Sequence, residues 1–356
     1  MTRPMLIVSL AAGALALLAS VVVVKTMSAA GQFTTIRPLG GESCRETPGI
    51  AGAEDVVIDR AAGIAFVSST DRVAVRRGEA VRGEIFTLDL SATDTGMAFR
   101  AATAGTPPDF RPDGISLWAP PAGARRLFAV NRRRDGAPTV EIFAVGTDGL
   151  RHLRTVGDRL FTSPNDIHAV GPDRFYLTND GGRGAMRIVD FALQRLRSDV
   201  VYFDGKAARV AAAGFGYANG INASPDRATV YVTDTFTRRL RFFSPDAPTG
   251  ALTETGSLML GTGLDNIDVD ANGALWIAAH PKLMDLALHT EGWSQQAPSQ
   301  VIRAVPGAGG GGEVRTVLLD LGERLSAGSV AVALGDRYLV GSLMDSKMLL
   351  CLTGDD

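Results

Sequence analysis

The sequence predicts an all-β fold, a six-bladed β-propeller preceded by an N-terminal hydrophobic helix. Two observations predict it. First, 41 glycines and 17 prolines among 356 residues supply the many tight turns that a meander of short strands needs. Second, six short segments share one pattern of aliphatic and aromatic residues. They begin roughly 45 to 65 residues apart, which is the length of a four-stranded propeller blade.

The N-terminal helix is predicted from a run of about 20 uncharged residues between Met5 and Val24, long enough to span a bilayer. One interpretation of residues 1–30 is an uncleaved signal-anchor. Another is a signal peptide that is cut after Ala30. A third is a buried core helix, although no helical partner for it is predicted downstream. The first two interpretations export residues 31–356, which we expect to form the propeller. The chain is then membrane-anchored and faces the extracytoplasmic side, or it is secreted or periplasmic if the segment is cleaved.

The repeat itself consists of two consecutive strands in each blade. The aliphatic and aromatic segments begin at Gly63, Arg126, Asp173, Ala228, Gly273 and Asp336. A second strand lies upstream of each segment. These second strands open at Glu54–Val56, Asp113–Ile115, Asn165–Ile167, Asn219–Ile221, Asp265–Ile267 and Gly328–Val330. Six such meanders cannot bury their faces singly, but sheets packed radially around an axis can.

Acidic and amide side chains begin five of these six openings. In a propeller the innermost strand of each blade lines the central tunnel, so equivalent openings bring these side chains together around one axis. Crowded carboxylates repel one another unless a cation compensates them, and calcium accepts about 6–8 oxygen ligands. The set contains no cysteine, which argues against zinc or copper. The alternative is that Asp and Asn only start strands after turns.

The two cysteines are Cys44, just after the N-terminal segment, and Cys351, near the C-terminus. An even pair in an exported chain predicts a disulfide. Such a bond would join the first and last parts of the propeller and lock its closure. The alternative is two unrelated buried thiols.

The charge composition gives no reason to expect a nucleic-acid partner. The chain has 36 basic and 38 acidic residues and a net charge of −2. A nucleic-acid-binding surface requires a basic excess that this balance does not provide.

At these residues the chain resembles the paraoxonase/arylesterase family, within the wider group of gluconolactonase-like six-bladed propellers. The resemblance covers roughly Cys44 to Leu352 and includes the two cysteines, which match the ring-closing disulfide of the family. The motifs that carry it are Ala53–Asp55, Asn165–Pro172, Ala218–Asn222, Asp265–Ile267 and the pair His280-Pro281.

The resemblance implies two calcium ions. By it, a catalytic calcium at the tunnel floor is bound by Glu54, Asn165, Asn219, Asp265 and Asn266. A second, structural calcium is bound by Asp55, Asp166 and the backbone carbonyl of Ile115. His280 matches a histidine that lines the site of the family, and it is either a participant in the chemistry or a packing residue.

The chain departs from the family at a proposed proton-shuttling pair of histidines. Asp113 and Arg132 stand at those two positions. Asp113 is therefore expected to be a carboxylate base or one half of an Asp113–Arg132 structural pair. The run 132–134 of three arginines is expected to be a solvated loop. Elsewhere, His168 is expected to pack against its strand, and His152 and His289 to lie on loops.

The predicted function is a calcium-dependent ester hydrolase of the lactonase or arylesterase type. Water would be activated by Asp113 or by a ligand carboxylate, Asp265 or Glu54, and would attack a small ester or lactone substrate. Loops around residues 70–83, 181–186 and 281–298 are expected to set specificity. One alternative is a non-catalytic, calcium-stabilised propeller that binds a ligand or protein near the membrane. Another is a propeller of the strictosidine-synthase type that performs condensation chemistry.

Overall fold

The computed structural model describes residues 3–91, 97–120, 123–134, 136–181, 185–307 and 312–354. Its strands form six sheets around a common axis, so the predicted six-bladed propeller is confirmed. The innermost strands of neighbouring sheets contact one another in a closed ring. Each innermost strand is followed along the chain by the next strand outward, as a meander requires.

The blades are numbered in chain order from the first inner strand. Strand β1 (Cys44–Pro48) precedes them and joins the last blade. Blade 1 is β2 (Ala53–Asp59), β3 (Ile64–Ser69), β4 (Glu84–Asp89) and β5 (Arg100–Ala101). Blade 2 is β7 (Pro112–Trp118), β8 (Arg126–Asn131), β9 (Thr139–Gly146) and β10 (Gly149–Val156), with the short β6 (Thr103–Ala104) at its outer edge. Blade 3 is β11 (Pro164–Ala169), β12 (Phe175–Asn179), β13 (Ser198–Phe203) and β14 (Ala208–Phe215).

Blade 4 is β15 (Ala218–Ala223), β16 (Val230–Asp234), β17 (Arg239–Pro245) and β18 (Leu252–Met259). Blade 5 is β19 (Gly263–Val269), β20 (Leu275–His280), β21 (Ser299–Pro306) and β22 (Gly312–Asp320). Blade 6 is β23 (Gly328–Leu334), β24 (Arg337–Ser342) and β25 (Lys347–Leu352), completed by β1.

The ring closes in blade 6 by pairing the two ends of the propeller. Strand β1 runs antiparallel to β25, and Cys44 lies directly opposite Cys351. The two cysteines form a disulfide that joins positions 307 residues apart. The predicted disulfide is therefore confirmed.

The hydrophobic core lies between adjacent blades rather than inside any one of them. Phe128 of blade 2 packs in one cluster with Phe175 of blade 3, and Val67 of blade 1 packs in another with Val332 of blade 6. Both faces of the inner strands of each blade are thereby buried. This explains why the repeated segments are nearly continuous apolar runs rather than alternating ones.

Within the described ranges, four helices accompany the sheets. They are α1 (Arg3–Ala29), α2 (Arg72–Arg76), α3 (Ala185–Ala192) and α4 (Leu283–Thr290), together with one 3-10 turn at Gly41–Ser43. Helix α1 contains an 18-residue window, Ala12–Ala29, that is long and apolar enough to cross a membrane and is almost wholly exposed. Helices α2 and α4 lie within two of the segments expected to be specificity loops, 70–83 and 281–298, and α3 begins in the third, 181–186, and extends beyond it. Residues 182–184 of those segments lie outside the described part of the chain.

Two expectations about histidines are wrong. His152 lies in β10, where its Nε2 is 2.8 Å from the buried Glu141 carboxylate, and His289 lies in α4. Tertiary contacts decide these short elements.

Candidate active site at the tunnel floor

The candidate site residues sit where the inner strands lose their regular pairing. In each of the six inner strands the ladder shifts register at the predicted opening. In β2, for example, Ala53 pairs with Ser69 and Asp55 with Ser68, so Glu54 is left without an opposite partner. A bulge of this kind re-aims a side chain away from the plane of its sheet. The repeated motif therefore corresponds to a repeated backbone irregularity around the axis.

Glycines allow the bulges of neighbouring blades to approach closely. A Cβ added at Gly220 would lie 2.8 Å from the Cα of Asn266 and 2.8 Å from the carbonyl oxygen of Asp265. A Cβ added at Gly114 would lie 2.5 Å from the Cα of Asp166. Blade 4 thus meets blade 5, and blade 2 meets blade 3, at the level of the candidate ligands.

Hydrogen bonds between side chains and groups of different blades also bring the site residues together. The Nδ2 of Asn266, in blade 5, donates to Oε1 of Glu54, in blade 1, at 3.0 Å. The hydroxyl of Ser329 in blade 6 donates to the Glu54 backbone oxygen at 2.8 Å. In blade 3 the Thr178 hydroxyl donates to the carbonyl oxygen of Asn219 in blade 4 at 2.6 Å. The five residues expected to hold the catalytic calcium, Glu54, Asn165, Asn219, Asp265 and Asn266, are all between 1% and 6% exposed.

Four buried oxygens in this group have no hydrogen-bond partner among the described residues. They are Glu54 Oε2, Asn165 Oδ1, Asn219 Oδ1 and Asn266 Oδ1, which come from four different blades. An unsatisfied buried acceptor costs roughly 1–3 kcal/mol, so four around one axis require an explanation. One carboxylate and three amide oxygens are the ligands that a hard cation such as calcium accepts. The residues present therefore fit the ion.

The amide oxygens are indispensable to this fit. Within the described ranges, no three His, Cys, Asp or Glu side chains come together as a metal-binding group. A site built here depends on the three asparagines as much as on the carboxylates.

Two further buried carboxylates, those of Asp55 and Asp166, cross-link neighbouring blades. Asp55 Oδ2 accepts from the backbone N–H of Ile115 in blade 2 at 2.7 Å, and Asp166 Oδ2 accepts from that of Ile221 in blade 4 at 2.7 Å. Burial raises the pKa of Asp55, and the carboxylate of Asp166 raises it further. Burial also raises the pKa of Asp166 above the opposing effect of its two backbone donors. Asp55, Asp166 and Ile115, the three residues expected at the structural calcium, thus lie together on neighbouring inner strands.

The electrostatics of Glu54 reflect the same crowding. Burial raises its pKa well above the ordinary value, and the carboxylate of Asp113 raises it further, whereas the guanidinium group of Arg72 acts in the opposite direction. A cation bound beside Glu54 would favour its ionised form, which is the form that can act as a ligand.

His280 is joined to one of the expected ligands. Its Nε2 lies 2.6 Å from Oδ2 of Asp265, and both side chains are buried. The other ring nitrogen, Nδ1, is buried without a hydrogen-bond partner in the described structure. Strand β20 ends at His280, so this side chain stands at the end of the second strand of blade 5.

Asp113 is enclosed by arginines. Its Oδ1 contacts Arg72 and its Oδ2 contacts Arg132, and it is only 3% exposed. Arg132 also contacts the buried Asp180 at 3.0 Å. Residues 132–134 do lie in a loop after β8, but the guanidinium group of Arg132 is paired with two buried carboxylates and is not simply solvated. Burial lowers the pKa of Arg132, but Asp113 and Asp180 together raise it above its usual range.

Arg72, Asp180 and Arg187 surround the site and were not predicted. Asp180 directly follows β12, as Arg132 directly follows β8. Asp180 could have been found from a signal at the end of the second strand in four blades, where polar residues recur at Asn131-Arg132, Asn179-Asp180, Asp234-Thr235 and His280. No such signal marks Arg72 or Arg187, which lie in α2 and α3.

Comparison with known proteins identifies the family. A family model described as arylesterase matches residues 52–352. The chain belongs to the arylesterase family.

Relatives in this family align over nearly their whole length. The chain is 32% identical over 330 residues to serum paraoxonase/arylesterase 2 of Gallus gallus, covering 89% of this chain and 90% of that protein. It is 32% identical over 333 residues to serum paraoxonase/arylesterase 1 of Homo sapiens, with coverage of 89% and 90%.

Solved structures that share the fold are more distant in sequence. A luciferin-regenerating enzyme superimposes with a TM-score of 0.55 at 12% identity, covering 89% of this chain and 96% of its own. A PQQ-bound aldose sugar dehydrogenase from Streptomyces coelicolor superimposes with a TM-score of 0.53 at 13% identity, covering 87% and 98%. These likenesses establish the propeller fold alone.

Proposed function

We propose that this protein is a calcium-dependent hydrolase of aryl esters or lactones, with its catalytic centre at the tunnel floor. Membership of the arylesterase family makes the chain an ester hydrolase. The observation that supports calcium is the set of four partnerless, buried oxygens on four blades. Glu54, Asn165, Asn219, Asp265 and Asn266 would hold the catalytic ion.

A second calcium would be held below the first by Asp55, Asp166 and the carbonyl oxygen of Ile115. The support for it is that Asp55 and Asp166 are both buried on inner strands on either side of β7, which carries Ile115, and that the carboxylate of Asp166 raises the pKa of Asp55. Calcium at the upper position would polarise the substrate carbonyl and stabilise the negative charge that develops on its oxygen. The remaining tasks belong to the side chains of the protein.

His280 is the group best placed to move a proton. When the ring proton is on Nε2 and the Nε2–H group donates a hydrogen bond to Asp265, Nδ1 carries the lone pair. That nitrogen is buried and has no described partner, so it is available to accept a proton from the attacking water. Asp265 would then have two functions, to bind the ion and to fix the tautomer and orientation of the imidazole.

Asp113 remains the alternative proton acceptor. Both of its carboxylate oxygens already contact guanidinium groups, those of Arg72 and Arg132. This arrangement favours the structural-pair interpretation, in which Asp113 orients two cations beside Glu54. Charge-assisted contacts of this kind fix the geometry of both partners.

We further propose that residues 31–356 are exported and that the N-terminal segment is retained as a membrane anchor. Ala30 is fully buried and its carbonyl oxygen accepts from the N–H of Leu283 at 2.9 Å, so a cut after Ala30 would free a packed residue. The mass of the exported protein distinguishes an intact anchor from a cleaved signal peptide. A mass that lacks residues 1–30 contradicts the anchor and leaves the hydrolase proposal intact.

The central test combines metal analysis with hydrolysis of phenyl acetate and simple lactones. We expect two bound calcium ions, and activity that disappears with chelator and returns with calcium. Asn219→Ala should weaken calcium binding and abolish turnover, because it removes a partnerless oxygen. Asn222→Ala is the matched control in the same strand, since both polar atoms of Asn222 have hydrogen-bond partners.

Two results would contradict the proposal. One is a calcium-replete protein that hydrolyses none of the substrates. The other is Asn219→Ala with unchanged calcium affinity and unchanged turnover.

A further inference from the structure

A cavity of about 260 Å³ opens beside the candidate active site, between blades 2 and 3. Three arginines line it, Arg132, Arg133 and Arg187, together with Ser163 and Pro164. None of the described residues that line it is acidic. Pro164 opens β11 and directly precedes Asn165, one of the expected calcium ligands. The cavity therefore adjoins the point at which a substrate carbonyl would bind.

Two of the arginines that line this cavity, Arg132 and Arg187, are held in place by the carboxylate of Asp180. Asp180 is fully buried, and its Oδ2 contacts Arg132 at 3.0 Å while its Oδ1 contacts Arg187 at 3.3 Å and accepts from the Ser163 hydroxyl. One carboxylate thus fixes two guanidinium groups. The ring of Tyr217 lies under Arg187, with 5.0 Å between the guanidinium carbon and the ring centroid. Such support keeps both cations ordered without ligand.

Arg133 has donors beyond its ion pair. It contacts Asp109 through Nε at 2.7 Å, and its two terminal nitrogens have no described acidic partner. A guanidinium group carries five N–H donors in a planar fork that matches a carboxylate. The cavity is thus lined by three cations, of which Arg133 has terminal N–H groups that can donate to an anion.

We propose that this cavity binds a carboxylate group of the substrate, so that the preferred substrate is an ester or lactone carrying a negative charge. The inference rests on the proposed hydrolase function and specifies its substrate class.

The test compares a γ-butyrolactone that carries a carboxylate with the same lactone carrying a primary amide, which has similar size and no charge. A short series varies the number of methylenes between the ring and the carboxylate. We expect the best carboxylate substrate to exceed its amide by about tenfold or more in kcat/KM, mainly through KM, because it adds charge-assisted hydrogen bonds. Arg133→Gln should reduce this ratio about tenfold.

Arg134→Gln is the matched control. Arg134 is the next residue, is exposed, and does not line the cavity, so this variant should keep the preference of the wild type. Equal ratios in Arg133→Gln and Arg134→Gln, or a wild-type preference for the amide, would overturn the inference.

A binding measurement separates this inference from the hydrolase proposal. Calorimetry with glutarate and with inorganic phosphate should show binding to the calcium-loaded wild type that Arg133→Gln weakens and Arg134→Gln retains. If neither lactone is hydrolysed but this pattern of binding is found, the hydrolase proposal fails and the anion site stands. If neutral lactones are hydrolysed but neither anion binds, the anion site fails. Binding of phosphate alone would replace carboxylate as the anion and overturn the substrate class stated here.

Discussion

At the scale of single residues, the site is organised by which polar atoms lack partners. Glu54 and Asn266 bond to each other through one atom each, and each leaves a second, oxygen atom without a partner. The hydrogen bond therefore orients two ligands rather than satisfying them. Buried polar groups that make only some of their hydrogen bonds destabilise the folded state unless a ligand supplies the missing interactions.

His280 and Asp113 can be distinguished by substitution. His280→Gln should lower kcat by about 10²–10⁴-fold if Nδ1 accepts the proton, and it should remove the acidic limb of the kcat/KM pH profile. Calcium stoichiometry should stay at the wild-type value, because Gln leaves the partnerless oxygens in place. Asp113→Asn should have a smaller effect on kcat, since it removes an ion pair and not the base.

The control for this experiment is His289→Gln, which changes a buried histidine of α4. Its activity and pH profile should match those of the wild type. If His280→Gln keeps the acidic limb and Asp113→Asn loses it, Asp113 is the base and the assignment to His280 is wrong.

At the scale of elements, the inner strands were predictable and the tunnel mouth was not. The six openings could be aligned because each is a short motif at the same place in a repeated unit, and each coincides with a shift in register. Arg72 could not be found this way. It lies in α2, in the connection between β3 and β4. The corresponding connections of blades 3 and 5 also carry helices, but these share no sequence motif with α2, so only the folded chain brings Arg72 to Asp113.

Pairings between side chains were also beyond the sequence. The motifs indicated that Asp265 and His280 belong to one site, but not that Nε2 of the histidine bonds to the carboxylate. That contact depends on the register between β19 and β20, in which Gly263 lies opposite His280. A shift of one residue would turn the histidine to the other face of the sheet.

Close approach of the inner strands leads to a prediction about glycine. Gly220→Ala should weaken calcium binding at least tenfold, because its Cβ would press on backbone atoms of Asn266 and Asp265 and force blades 4 and 5 apart. Gly256→Ala is the control in the outer strand β18 of the same blade. There the added Cβ meets a Phe242 ring atom at an ordinary 3.5 Å.

Calcium titration of both variants, together with their thermal unfolding, checks this. Equal calcium affinity in the two variants would show that the spacing of the inner strands does not control the site.

At the scale of the whole molecule, the axis couples metal binding to stability. Strands from all six blades meet there, and the disulfide between Cys44 and Cys351 closes the ring around them. Carboxylates concentrated at the centre oppose this closure when they are ionised. Anything that binds the folded axis and not the unfolded chain, whether protons or calcium, stabilises the whole ring by mass action.

This coupling predicts how the stability of the metal-free protein depends on pH. Burial raises the pKa values of Glu54, Asp55 and Asp166 above ordinary values of 4.5, 3.8 and 3.8. The folded state therefore holds these protons more tightly than the unfolded state does. Their stabilising contribution is complete below about pH 4 and is lost as pH rises through the raised values. The decrease in melting temperature that follows calcium removal should consequently be larger at pH 8 than at pH 4.

Glu54→Gln tests how much one carboxylate contributes to the pH dependence of stability in the metal-free protein. Gln keeps an oxygen that can accept from Asn266 and removes the charge, so at pH 8 the metal-free variant should be more stable than the metal-free wild type. With saturating calcium the order should reverse, because the variant has lost an anionic ligand. Thermal unfolding of the two proteins, metal-free and calcium-loaded, measures both differences. A calcium effect that is constant across the pH range, or a metal-free variant that is less stable than the wild type at pH 8, would mean that the charge at the axis is already compensated by the arginines around Asp113.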